Sequence, residues 1–273
     1  VDIRPKINIE YPKYNYKIFE EFFYEFYTLN NIQTKLEYLP IFWTAFYVNR
    51  NFGNGDISDL QNYINHLDRS KKYFTLVQYD DGILNNISNL DLYVFSLAQN
   101  KIYDFILPTT CLPRPNINKN RDRDIFCSFF GRYKGTYDHP TQQRIMDILP
   151  KNKYVVGRNI DSSSYYDHLE RSKFFLCANG RSPTTFKICE CLQSGTIPVF
   201  IYDEKWIPFE KEIEFEKACI LIHESNIDQI DNILSKISDD KIQEMRSHGD
   251  YIYQNYYEYN SLSKKIITII NGL

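Results

Sequence analysis

The chain has 273 residues, enough to bury a full core in one large domain or two small ones. With 43% hydrophobic and 25% charged residues it is ordinary for a globular protein, and a net charge of −3 implies no general attraction to nucleic acid or anionic membrane. The 23 tyrosines and 19 phenylalanines against 2 methionines fit the codon bias of an AT-rich genome better than any one function.

In chain order, residues 1–16 read as an extended lead-in, and Ile18 to Leu29 as a helix with acidic residues on one side. Leu39 to Val48 reads as a strand passing into a loop or helix, and Asn51 to Asp56 as a turn cluster. The Gly-x-Gly in that cluster has no third glycine and no clean strand before it, which rejects a dinucleotide fingerprint. Ile57 to Asp68 is a predicted helix. Tyr73 to Gln78 is a buried strand running into Tyr79-Asp80-Asp81-Gly82, and Leu92 to Leu97 and Phe105 to Leu107 are further strands. Pro108, Pro113 and Pro115, followed by Asn116 to Asp124, form the most linker-like segment.

Beyond it, Ile125 to Gly131 is a strand followed by Arg132; Thr141 to Leu149 is a helix and Lys153 to Val156 a strand with Gly157-Arg158 after it. Tyr165 to Glu170 is a short helix. Phe174 to Cys177 is an apolar run ended by Asn179-Gly180. Ser182-Pro183 supplies an N-cap and a proline at the first helical position; the helix then runs to Ser194, with Gly195 as its stop. Phe186, Cys189 and Leu192 turn toward the sheet, and Ile197 to Tyr202 is the next strand, completing a βαβ unit. Ala218 to Ile222 is a last strand; Ile227 to Ile237, Asp239 to Met245 and His248 to Ile270 are helices. Alternating strands and helices on both sides of a proline-rich linker predict two βαβ domains facing each other.

The helix after Asn179-Gly180 starts where open α/β sheets bind ligands, and its free N–H groups near Thr184 and Thr185 suit a phosphate. Lys187 and Glu190 share a face of it; spacing alone favours an ordinary surface ion pair. Asp122-Arg123-Asp124 lies among basic residues, not after a buried strand, and reads as solvated charge. No His/Asp/Glu cluster has metal-ligand spacing, and His66, His139, His168, His223 and His248 are scattered. The six cysteines, Cys111, Cys127, Cys177, Cys189, Cys191 and Cys219, lack C-x-x-C spacing and fit buried thiols of a reducing compartment. Val1 to Lys6 carries no apolar signal segment, and no run approaches the length of a membrane span.

The stretch Lys187, Glu190, Leu192, Gly195, Ile197-Pro198-Val199 and Ile207-Pro208-Phe209 resembles the signature region of the exostosin-type glycosyltransferases. That family has an Arg/Lys-x-x-Glu-x-Leu helix running into Gly-x-Ile/Val-Pro-Val, then Leu-Pro-Phe. Lysine in the first place loses arginine's bidentate fork and keeps the charge. Phe129-Phe130-Gly131-Arg132 resembles the family's Phe-Phe-Arg-Gly-Arg with one arginine missing. Tyr79-Asp80-Asp81-Gly82 resembles its His-Asp-aromatic-Gly with tyrosine for histidine. Asp-Asp-Gly is also a common turn.

The resemblance implies an α/β protein of the GT-B fold, two Rossmann-like domains facing across a cleft. Residues 1–117 would be the acceptor side, 118–250 the nucleotide-sugar side, and 251–273 a helix returning to the first domain. It implies an inverting, metal-independent transfer from a UDP-sugar, with UDP-xylose the best guess, to an oligosaccharide acceptor. No cofactor beyond the donor substrate and no nucleic-acid partner is expected. Asp80 or Asp81 would be the base. Arg132, Arg158, Arg181, Ser182, Thr184, Thr185 and Lys187 would hold the diphosphate, and Glu190 the ribose. A retaining transferase, another GT-B family, and an inactive carbohydrate-binding module stay open as alternatives. Animal and plant exostosins carry membrane anchors, so this chain is expected to be a naturally soluble member, like those encoded by large algal viruses and cytoplasmic, or a trimmed lumenal one.

Overall fold

Short apolar runs with helices between them pair as two separate, wholly parallel sheets. The computed structural model describes residues 1–8, 17–97, 103–131, 140–178 and 183–273, and divides into one unit of residues 1–112 with 256–273 and another of 113–255. Both units are parallel α/β, the build expected of a GT-B chain.

In the first unit, β1 (Glu37–Tyr38), β2 (Lys72–Val77), β3 (Asp91–Ser96) and β4 (Phe105–Ile106) lie in that order. Around them run α1 (Phe19–Leu29), α2 (Trp43–Asn49) and α3 (Ser58–Asn65). The core gathers Trp43, Phe46, Tyr47, Leu60, Tyr73 and Val94. Leu39 to Val48, read as a strand passing into a loop or helix, is helical over Trp43–Asn49, with Trp43 to Val48 all buried.

The end of β2 is tied down by Glu20. Read as part of an acidic outer face, Glu20 is buried; its carboxylate accepts from Thr44 N–H at 3.1 Å, Thr44 Oγ1 at 2.8 Å and Gln78 N–H at 2.8 Å. Phe19 N–H in turn donates to Gln78 Oε1 at 2.9 Å. Burial pushes the Glu20 carboxyl up to about 7, against the pull of these donors.

In the second unit, the strands are β5 (Ile125–Gly131), β6 (Tyr154–Arg158), β7 (Ser172–Ala178), β8 (Ile197–Tyr202) and β9 (Ile220–His223), in the order β6-β5-β7-β8-β9. The chain winds from β5 outward to β6 through α4 (Pro140–Ile148), then returns through α5 (Ser162–Arg171) to β7 on the other side. β5 and β7 therefore flank the point where the winding reverses. Pro198 is the second residue of β8, beside Phe175 of β7 and ahead of Val199, where β9 begins to pair, a strand-start place that tolerates a missing N–H.

The helix after β7 is α6 (Phe186–Ser194). Gly195 ends it at φ 66°, a left-handed cap in which a β-carbon is disfavoured. α7 (Ile230–Leu234) and α8 (Asp239–Ile252) follow. The break expected near residue 246 is absent: α8 runs on through Gly249, and a π turn over Tyr253–Tyr257 separates it from α9 (Tyr259–Gly272). α9 lies in the first unit, where Tyr259 stacks edge-on to Phe19 at 5.0 Å and donates to the Lys17 carbonyl at 3.0 Å.

Asp122-Arg123-Asp124 is not uniformly solvated. Arg123 donates to the carbonyls of Ser172 at 2.7 Å and Ser194 at 2.5 Å, and to Thr196 Oγ1 at 2.6 Å. It staples the entry of β7 to the end of α6, and burial lowers its guanidinium to about 10. All six cysteines are buried thiols outside any disulfide.

Candidate active site

A parallel sheet leaves the carboxyl ends of its strands open, and the reversal of winding parts the loops there into a crevice. In the second unit that place is the ends of β5 and β7. α6 starts beside them, so its dipole puts positive potential at the ends of these two strands. Lys187, second in α6, carries its ammonium to β5: Nζ donates to the Phe130 carbonyl at 2.8 Å and sits 5.0 Å from the centroid of the Phe129 ring.

The cap of α6 differs from the sequence reading. Thr185 is the N-cap, its side chain accepting from Lys187 N–H at 3.3 Å, and Pro183 precedes the helix. Both Ser182 and Thr185 have the chemistry of a cap, and the later one fits the helix that packs on the sheet. Thr184 is buried. Phe186 is 40% exposed and does not face the sheet, whereas Cys189 and Leu192 do lie in the core. Arg132, Arg181 and Ser182 fall outside the described residues.

Glu190 lies one turn beyond Lys187 and is only 5% exposed. Its carboxylate accepts from the Tyr165 hydroxyl at 2.6 Å and the Tyr166 hydroxyl at 3.3 Å, both on α5. Burial raises its proton affinity; the Tyr165 hydroxyl, the charges of Lys187 and Arg114, and the Tyr166 hydroxyl oppose this. Tyr165 is itself pushed far up by burial and by the Glu190 charge. The two tyrosines were missed in the sequence because only a fold places residue 165 beside residue 190.

Arg158 is the last residue of β6, not a residue beyond it. Its Nε donates to Met146 Sδ at 3.1 Å and its Nη2 to Gln143 Oε1, both on α4. Among the candidates, the structure thus brings Lys187 and Glu190 together at α6, with Thr184 and Thr185 at its start.

Asp80 and Asp81 belong to the first unit. They are half-buried and form the centre of a turn closed by Gly82 N–H donating to the Tyr79 carbonyl at 2.8 Å, with Gly82 at φ 69°. β2 ends at Val77, so the two are past the strand and its in-and-out alternation does not separate them. Tyr79, in the place of the family's histidine, is buried and donates its hydroxyl to the Phe52 carbonyl at 2.7 Å. Phe52 has a left-handed backbone, φ 55°, a conformation bulky residues rarely adopt.

The family model described as the exostosin GT47 domain matches residues 96–237, more than half of the chain. The chain belongs to this exostosin family of glycosyltransferases. The matched span holds Arg158, Lys187 and Glu190 and excludes Asp80 and Asp81. Among relatives, exostosin-1 of Drosophila melanogaster is 30% identical over 112 residues, 41% of this chain and 14% of its own. The probable glucuronosyltransferase GUT1 of Oryza sativa subsp. japonica is 33% identical over 123 residues, 42% of this chain and 30% of its own. The matches thus span less than a third of either relative's length. The crystal structure of TarM superposes with a TM-score of 0.49 at 11% identity, covering 78% of this chain and 53% of that one. Among the described residues, no helix is long and apolar enough to cross a membrane.

Proposed function

We propose that this exostosin-family chain transfers a sugar from a UDP-sugar to a glycan hydroxyl, with the donor held by the second unit at α6. The observation that carries this reading is the Lys187 ammonium, delivered by a helix N-terminus to the winding reversal between β5 and β7. A cation there, at the positive end of the helix dipole, suits a diphosphate that gains charge as the glycosidic bond breaks. Arg132 and Arg181 are the further cations proposed for it. Glu190 would accept from ribose hydroxyls: a carboxylate has about four acceptor positions, and its two tyrosines use two.

The acceptor hydroxyl attacks the anomeric carbon on the face opposite UDP, passing its proton to Asp80 or Asp81 while the C–O bond to the diphosphate breaks. The product then has inverted configuration. The exchange needs no redox partner, and we propose that it runs without a metal. UDP-xylose is the proposed donor; the name of the rice relative makes UDP-glucuronic acid the second donor to try.

The test is release of UDP from a panel of UDP-sugars with glycan acceptors, with and without EDTA, and NMR of the product anomer. UDP release from UDP-xylose, unaffected by EDTA and giving the inverted anomer, supports the reading. Turnover strictly dependent on manganese, or retained configuration, overturns the corresponding part. No release from any UDP-sugar overturns the activity.

A further inference from the structure

The two tyrosines on Glu190 are held by different means. Tyr165 is enclosed by rings, with centroids 5.5 Å from Phe175 and 6.3 Å from Phe130. Tyr166 is only half-buried, and its ring carries the guanidinium of Arg114 at 3.8 Å from the centroid. Arg114 is fixed in turn: Nη2 donates to Ser194 Oγ at 2.9 Å and Glu170 Oε1 at 3.2 Å, and its backbone N–H donates to Gln193 Oε1 at 3.4 Å. Ser194 Oγ donates to the Glu190 carbonyl at 2.8 Å. The contacts close a ring from Glu190 to Tyr166, Arg114, Ser194 and back to α6.

The ring answers a geometric need. The last torsion of a glutamate is broad, so one donor fixes one oxygen and leaves the carboxylate plane free to turn about it. Tyr165 holds Oε2 and Tyr166 holds Oε1. With both in place the plane is set, and so are the remaining acceptor directions. The cation over the half-buried Tyr166 ring, itself tied to Glu170 and Ser194, braces that ring.

We propose that Tyr166, clamped by Arg114, is a positioning residue that orients the Glu190 carboxylate to select a ribose 2′-hydroxyl in the bound nucleotide. This rests on the reading of α6 as the nucleotide site. Its consequence is specific: losing the Tyr166 hydroxyl weakens recognition of the sugar hydroxyl more than it weakens binding of the diphosphate.

The experiment is calorimetric titration of UDP and 2′-deoxy-UDP into the parent, Tyr166→Phe and Arg114→Gln proteins, with thermal melts to confirm folding. The parent is expected to favour UDP by about tenfold, the loss of one hydrogen bond to a charged group. In Tyr166→Phe that preference falls to about threefold or less, while 2′-deoxy-UDP affinity stays within about twofold of the parent's. Arg114→Gln shifts the preference in the same direction, and it carries the test if Tyr166→Phe does not fold. An unchanged preference in a folded variant overturns the proposal. If the parent binds both nucleotides equally, Glu190 does not select the 2′-hydroxyl and the proposal is overturned while the nucleotide site stands. If the parent binds neither, the nucleotide site itself is wrong.

Discussion

Lys187 and Phe130 meet across the point where the second sheet reverses its winding, the ammonium of one bonded to the carbonyl of the other at 2.8 Å. The bond ties α6 to the end of β5 and places a positive charge at the mouth of the sheet. A carbonyl is a weak counter-ion for an ammonium. On the proposed reading the diphosphate would offer full negative charge at the same place, a stronger partner for the ammonium than a carbonyl.

Glu20 makes stability depend on pH. Its carboxyl has an ordinary value of 4.5 and is raised to about 7 in the fold. The protonated form is therefore favoured by folding: its contribution is complete below about 4.5 and is lost as pH rises through about 7. The gap corresponds to ~3 kcal/mol. Urea titrations at pH 4.5 and pH 8 should show the parent losing about that much relative to Glu20→Gln, which stays neutral throughout. A parallel pH dependence in both proteins would mean that Glu20 does not titrate in this range.

Arg123→Ala should cost about 3 kcal/mol of unfolding free energy, because it leaves the Ser172 and Ser194 carbonyls and Thr196 without a shared buried donor. Chemical denaturation measures it. A loss below about 0.5 kcal/mol would match a solvated charge, as the Asp-Arg-Asp sequence suggests.

Much of the second unit was legible because its strands are apolar runs and Gly195 marks the end of α6. Several of the misreadings share a physical cause: polar side chains whose partners are distant in sequence. Arg123 looked solvated because its acceptors lie 49 to 73 residues on. Glu20 looked like part of an acidic helix face because Thr44 and Gln78 come 24 and 58 residues later. Tyr165 and Tyr166 carried no motif at all. The pair Lys187 and Glu190 was found through resemblance, since spacing alone favours a surface ion pair. The cap of α6 was placed early because serine followed by proline is as good a local start as Thr185.

Past the end of β2, strand alternation does not tell Asp80 from Asp81, and the pair is separated by substitution; the family's His-Asp-aromatic-Gly aligns with Asp80. Asp80→Asn keeps the shape and cannot take a proton, so transfer should fall by about 10²–10⁴ while UDP still binds. Asp81→Asn should lose much less. Initial rates with saturating UDP-sugar decide it: small, equal losses would leave Asp80-Asp81-Gly82 as a turn only, and a large loss at Asp81 alone would move the base by one residue.

UDP binding to the parent, Lys187→Ala and Lys187→Arg proteins, read by calorimetry, tests the account most directly. The parent should bind saturably, Lys187→Ala roughly ten- to a hundredfold more weakly with its melting curve preserved, and Lys187→Arg close to the parent because the charge remains. A parent that does not bind UDP, or a Lys187→Ala protein that binds it as tightly as the parent, would contradict the placement of the donor at α6.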